Sequence, residues 1–203
     1  MKYLPLTGVL MLLTIVFVWR PWLQRRRHGT WGIVVFKGNL GQNVRDAMLV
    51  VLPVLLLGQA AVAAWWPDAL ALSEADRRAA PGARIALGTV LLFGGLLAQA
   101  AAMLDLGASW RIGIEETARP GLVTGGVYRF SRNPIFLALL AALAGYMLLL
   151  PTLLSAAILI GAYLAIRQQI DEEETYLARA YGDQYREYAH HVGRLLPGIG
   201  KLD

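Results

Sequence analysis

Apart from Arg167 near the end of the last, five long stretches of this chain carry no acidic or basic side chain: Leu4 to Trp19, Ala47 to Trp66, Ile85 to Leu104, Ile135 to Leu150 and Thr152 to Ile170. Each approaches the roughly 20 residues that a helix needs to cross a bilayer. Lipid offers the backbone no hydrogen-bond partners, so such runs are stable there only when coiled into helices. Composition agrees, because the chain is 57% hydrophobic and only 16% charged, whereas soluble domains carry about 25% charged residues. A soluble core of this length cannot hide so much apolar chain. The predicted fold is therefore all-α: a polytopic membrane helix bundle of about five transmembrane helices in a single membrane domain, 1–203, with an amphipathic cytoplasmic C-terminal helix. Lys2 before a short apolar run has the look of a signal peptide, but no small-residue cleavage site follows, so the segment is read as a retained helix. The absence of cysteine excludes disulfides, thiolate nucleophiles and cysteine-held metal centres, and three histidines are too few for a histidine-rich site. No metal is expected. The net charge of +5 lies between apolar runs, so no nucleic-acid partner is expected either.

Lys and Arg collect in cytoplasmic loops. Successive segments outside the spans hold one, six, three, four and five of them, so alternate loops divide fifteen against four. This bias predicts an integral protein of a bacterial inner membrane with its amino terminus outside. Arg25-Arg26-Arg27, the segment Asp105 to Asn133 and the C-terminal tail then lie inside. The last two spans meet at Leu150-Pro151, which leaves room only for a tight hairpin turn. That hairpin carries residues 128–134 and 171–194 to one cytoplasmic mouth. Pro67 to Gly82 reads as a polar outside loop.

Three polar stretches gather there. In Gly125-Gly126-Val127-Tyr128-Arg129-Phe130-Ser131-Arg132-Asn133-Pro134, the proline suits a helix's first turn, and the free amides of that turn beside Arg132 attract an anion. The same arginines also satisfy the positive-inside bias, and the glycines also make a plain turn. Asp171-Glu172-Glu173-Glu174, placed at the cytoplasmic end of a helix, opposes both the helix dipole and an anionic lipid surface, a cost of about a kilocalorie per mole or more unless a cation compensates. S-adenosylmethionine, with its ammonium and sulfonium, is one such cation; solvation or pairing with Arg167 is the alternative. Leu177, Tyr181, Tyr185 and Tyr188 recur three or four residues apart and so share one helical face, which ordinary interfacial packing also explains.

Taken in order, these stretches resemble the isoprenylcysteine carboxyl methyltransferases and the related phospholipid N-methyltransferases. The resemblance rests on Gly126-Val127-Tyr128, Arg132-Asn133-Pro134, Glu173-Glu174, Leu177, Tyr181-Gly182, Tyr185, Tyr188 and Arg194 to Pro197, and it covers about the last ninety residues. It implies methyl transfer from S-adenosylmethionine to a carboxylate, amine or thiol on a lipid-like acceptor. The cofactor site it implies comprises Tyr128, Arg132, Asn133, Pro134, Glu173, Glu174 and Arg194, with Arg132 and Glu174 as the candidate catalytic residues. Residues 105–203 would then supply the cofactor loop, the hairpin and the C-terminal helix, while spans within 1–104 face a substrate the resemblance does not assign. The chain departs from the family at Asn133, where His is usual, at Phe136 for Tyr and at Tyr181 for Phe. Asparagine does not titrate near neutral pH, so a general base at that position is in doubt. Two other readings remain: an NADPH-dependent membrane reductase, against which the acidic run argues because NADPH carries an extra phosphate, and a non-catalytic scaffold or small transporter.

Overall fold

The computed structural model describes residues 2–33, 35, 40–70, 81–112 and 121–201, and within them every apolar run is helical. The elements are α1 (Leu4–His28), α2 (Leu40–Trp65), α3 (Pro81–Leu106), α4 (Pro134–Leu149), α5 (Leu153–Tyr181) and α6 (Asp183–His191). Four of them are long and apolar enough to cross a membrane, and α4 is a shorter apolar helix of 16 residues. Val54, Val90, Leu97, Leu153 and Ile160 stay exposed on the outside of the bundle, a distribution that water would penalise and lipid would not. One hydrophobic cluster drawn from α1 to α5 fills the interior. The chain is an integral membrane helix bundle.

The first helix runs farther than its apolar stretch predicts. Pro21 has no N–H to donate and its ring crowds the carbonyl four residues back. The helix accommodates it by widening into π turns over Thr14–Trp19, so that the Arg20 amide bonds to Ile15, and it continues to a left-handed Gly29. Arg20, expected among the loop charges, therefore lies inside the bundle and is only 2% exposed. Its guanidinium donates to the carbonyls of Met103 at 3.1 Å and Gly107 at 2.6 Å and to Gln24 at 2.8 Å, and it stacks 4.6 Å from the Trp110 ring. A cation at the end of α3 meets carbonyls that the helix itself leaves unpaired.

Helices α3 and α4 touch backbone to backbone. A Cβ at Gly145 would lie 2.3 Å from the Leu92 amide nitrogen and 2.6 Å from the Gly88 carbonyl oxygen, and one at Gly95 would lie 2.7 Å from Ala138 and Ala142 backbone atoms. Without a hydrophobic drive inside lipid, such close approach of small residues is a main source of helix association. At the far end the expected tight hairpin turn joins α4 to α5. Thr152 caps α5 by accepting from the Ser155 amide at 3.0 Å, Ser155 Oγ donates to the Leu150 carbonyl at 2.6 Å, and Gln59 of α2 donates to Ser155 Oγ at 3.1 Å and to Thr152 Oγ1.

The C-terminal region corrects one expectation. Rather than ending at Ile170, α5 runs unbroken for 29 residues to Tyr181. Gly182, at φ 53°, then turns the chain into the separate α6. The predicted amphipathic helix is thus made of two pieces. The acidic run sits within α5, well before its last turn, and the dipole penalty expected of a helix end falls away. Of the expected polar loop Pro67 to Gly82, residues 71–80 lie outside the described ones, and Pro67–Leu70 forms a 3-10 turn.

Gly145→Ala is expected to lower the detergent unfolding midpoint, since overpacking costs about 1–3 kcal/mol. Gly94→Ala, where a Cβ meets nothing within 4 Å, should leave it unchanged or raise it slightly. Equal midpoints for the two variants would contradict the α3–α4 contact.

Candidate functional site

Residues from four sequence-distant segments meet at the end of the bundle formed by the end of α3, the start of α4 and the end of α5. Asp105, in the last turn of α3, accepts the Val127 amide at 2.8 Å. Gly126 is forced by that contact: its φ is 59°, and a Cβ there would stand 2.1 Å from Asp105 Oδ2. The resulting 3-10 turn, Gly126–Arg129, buries Tyr128. From α6, the Tyr188 hydroxyl donates to the Tyr128 carbonyl at 2.6 Å. Ser131 then accepts the Asn133 amide at 3.1 Å, and α4 begins at a buried Pro134 whose missing donor costs nothing at that position.

Arg132 is the hub. Its Nε donates to Glu174 Oε1 at 2.9 Å, the two side chains being 2% and 15% exposed. Nη1 donates to the carbonyls of Ala189 and Val192, each at 2.9 Å, and Nη2 to the Gly200 carbonyl at 3.1 Å. Four of the five guanidinium N–H groups are therefore engaged among the described residues, and one Nη2–H remains. Asn133 Nδ2 donates to the Arg194 carbonyl at 3.0 Å and more weakly to Glu174 Oε1 at 3.4 Å. Arg194 pairs with Asp171 and sits 3.1 Å from Glu174 Oε2. Two arginines from outside α5 thus pair with two of the four carboxylates, Asp171 and Glu174, in place of the expected alternative of Arg167.

Between these groups and the bundle interior lies a cavity of about 350 Å³, within the range of small-molecule sites. Its polar end is lined by Tyr128, Arg132, Asn133, Glu173, Glu174 and Tyr185, and aliphatic side chains such as Leu52, Met103, Leu139 and Ile166 line the rest. Glu173 accepts from Gln169 at 2.7 Å and makes no ion pair within 4 Å among the described residues. Tyr185, 1% exposed, points its hydroxyl toward the Glu174 carboxylate. Burial, reinforced by the Glu173 charge, raises the Tyr128 phenol well above its ordinary range. Burial also pushes Tyr188 up to about 12, Arg132 opposing and Glu174 adding to the shift. Both phenols stay protonated at neutral pH and serve as neutral donors.

Of the residues singled out in the sequence, Tyr128, Arg132, Asn133, Glu173 and Glu174 face this cavity together. Pro134 and Arg194 stand behind its wall, the first starting α4 and the second gripping Glu174 and Asp171. The stripe Leu177, Tyr181, Tyr185 and Tyr188 also lines the cavity, although two helices supply it. Asp105, Gln169 and Gln99 escaped sequence reasoning. A lone carboxylate in the last turn of a helix has no signature, and the Gly125-Gly126 pair is its one available clue.

Comparison with known proteins places this geometry among relatives. The phospholipid methyltransferase family model matches residues 83–184, just over half of the chain. Over 117 residues the chain is 33% identical to protein-S-isoprenylcysteine O-methyltransferase A of Arabidopsis thaliana, a match covering 55% of this chain and 58% of that protein. It therefore spans little more than half the length of that relative. A solved structure of a eukaryotic intramembrane Ras methyltransferase, isoprenylcysteine carboxyl methyltransferase, shares the fold with a TM-score of 0.54 over 95% of this chain and 76% of that one, at 18% identity.

Arg132→Ala is expected to release the chain after α6, because three carbonyls from Ala189 to Gly200 lose their donor. Hydrogen exchange should show residues 189–200 opening, with Arg132→Lys only partly protective since an ammonium cannot reproduce the planar fork. Unchanged protection in Arg132→Ala would contradict the hub.

Proposed function

This chain belongs to the phospholipid methyltransferase family, and from that premise we propose that it transfers a methyl group from S-adenosylmethionine to the polar head of an amphiphile at the cytoplasmic face of an inner membrane. The observation that carries the proposal is that both polar motifs line one cavity, with apolar wall on its membrane side. Bound there, S-adenosylmethionine supplies an electrophilic methyl group on a positively charged sulfur. Glu173, hydrogen-bonded to Gln169 and sharing the cavity wall with Arg111, makes no ion pair within 4 Å among the described residues and is the carboxylate available to an ammonium or to ribose hydroxyls. Glu174, held by Arg132, Asn133 and Arg194, fixes the wall beside it. The remaining N–H of Arg132 receives the amino-acid carboxylate, and Tyr128 and Tyr185 close the polar end. Pro134 and Arg194 act through the residues they position.

The acceptor we favour is the carboxylate of an S-prenylated, cysteine-like amphiphile. With S-adenosylmethionine bound, a carboxylate oxygen would take the methyl carbon while the carbon–sulfur electron pair returned to sulfur, giving a neutral ester and a neutral thioether. No proton moves, so the step needs no base, in keeping with Asn133 where relatives of this type carry His. The chain's task is alignment and exclusion of water, which for well-oriented partners supplies on the order of 7 to 11 kcal/mol. The 33% identity to an isoprenylcysteine O-methyltransferase supports this acceptor over phosphatidylethanolamine. The excess of Lys and Arg in the segments at the cavity end of the bundle supports a cavity that faces the cytoplasm.

Titration calorimetry of the detergent-purified protein should detect S-adenosylmethionine and not NADPH. Glu173→Gln and Glu174→Gln should each weaken binding at least tenfold, or about 1.4 kcal/mol. Unchanged affinity in both, or binding of NADPH instead, would remove the proposal. With labelled cofactor, N-acetyl-S-farnesylcysteine should be methylated in preference to phosphatidylethanolamine, and the reverse order would reassign the acceptor.

A further inference from the structure

Away from the polar end, one side chain on the cavity wall is out of keeping with its neighbours. Gln99 lies inside α3 among the wall residues, 2% exposed, and its side-chain carbonyl has no hydrogen-bond partner. Along the helix it is six residues before Asp105, which places it about 9 Å deeper in the bundle at 1.5 Å per residue. The cavity wall nearest it in sequence and on facing helices is apolar: Met103 and Leu106 on α3, Val16 on α1 and Leu139 on α4.

An unsatisfied amide in apolar surroundings is costly, and in lipid-embedded bundles such side chains are usually paired across helices. The other interior glutamines show what pairing looks like. Gln59 bonds Ser155 and Thr152, Gln24 donates to the Ala108 carbonyl, and Gln169 donates to Glu173. Gln99 stands apart: it lines the cavity, yet its side-chain oxygen is buried and has no hydrogen-bond partner among the described residues.

We propose that Gln99 is a specificity-determining residue for the methyl acceptor: its side-chain carbonyl accepts a hydrogen bond from an N–H on the acceptor's polar head, while the acceptor's chain occupies the apolar wall. This assignment rests on the methyltransferase reading above, and it concerns the acceptor only. Gln99 is not among the residues assigned to the cofactor, so cofactor binding is expected to be independent of it. A site built to satisfy a buried hydrogen-bonding group rejects an analogue that lacks it far more strongly than an apolar pocket rejects a change of size. Gln99 would thereby favour acceptors carrying an amide beside the carboxylate over simple chained acids.

The test compares two probes, N-acetyl-S-farnesylcysteine, which carries an amide N–H, and S-farnesylthiopropionic acid, which lacks it. For Gln99→Leu, of similar size and without polar atoms, KM for the amide probe should rise about tenfold or more. KM for the amide-free probe should barely move, and the calorimetric Kd for S-adenosylmethionine should stay within about twofold. Gln99→Glu, which keeps an acceptor oxygen, should restore much of the preference. Equal effects on both probes, no effect on either, or a matching loss of cofactor affinity would overturn the assignment. If the unaltered protein binds S-adenosylmethionine yet methylates neither probe, the acceptor class falls and this inference with it. If it does not bind the cofactor, the methyltransferase reading itself is what fails.

Discussion

The buried pair between Arg132 and Glu174 ties together parts of the chain that nothing else joins so directly. Through one guanidinium, the start of α4, the last third of α5, the end of α6 and the C-terminal segment share a common point. Removing one partner of such a pair costs about 3–5 kcal/mol, because the other is left charged and buried. The pair stands at the cavity's polar end, so the interaction that closes the tail also shapes the wall where a ligand would sit. Stability and site geometry are therefore inseparable here, and Arg194 repeats the arrangement on the second oxygen of the same carboxylate.

Such a clamp works only because α4 and α5 are held at a defined spacing. The turn at Leu150 to Thr152, pinned by Ser155 and Gln59, sets it from the far end, while the glycine contact between α3 and α4 sets it from the side. Asp105, at the end of α3, then holds the Gly126 turn and with it Tyr128. A chain of short-range constraints thus runs from the lipid-embedded packing to the cavity without passing through any long loop.

Much of this was legible from residue order alone. Uncharged runs mark their own helices, Leu150-Pro151 permits no long connection, and the spacing of Tyr128, Arg132, Glu173 and Glu174 brings them to one mouth once the hairpin closes. What escaped notice has a common physical reason. The partners of Arg132 are mostly backbone carbonyls, which every residue has and no sequence advertises. Arg20 reads as a loop charge because the uncharged run ends at Trp19, whereas a π turn carries the helix on through Pro21. The break at Gly182 was hidden by an amphipathic pattern that two helices sustain across it, and Gln99 was one polar residue in an apolar run, with nothing in its neighbours to distinguish packing from a site.

The central claim is that the arginine-asparagine stretch and the twin glutamates, joined through the Arg132–Glu174 pair, form the polar end of one S-adenosylmethionine cavity. Photoaffinity labelling with a diazirine analogue of that cofactor, followed by peptide mapping, tests it most directly. The account predicts labelled peptides from both 121–136 and 169–188, each suppressed by excess S-adenosylhomocysteine. Label confined to one of the two segments, or insensitive to the competitor, would contradict it.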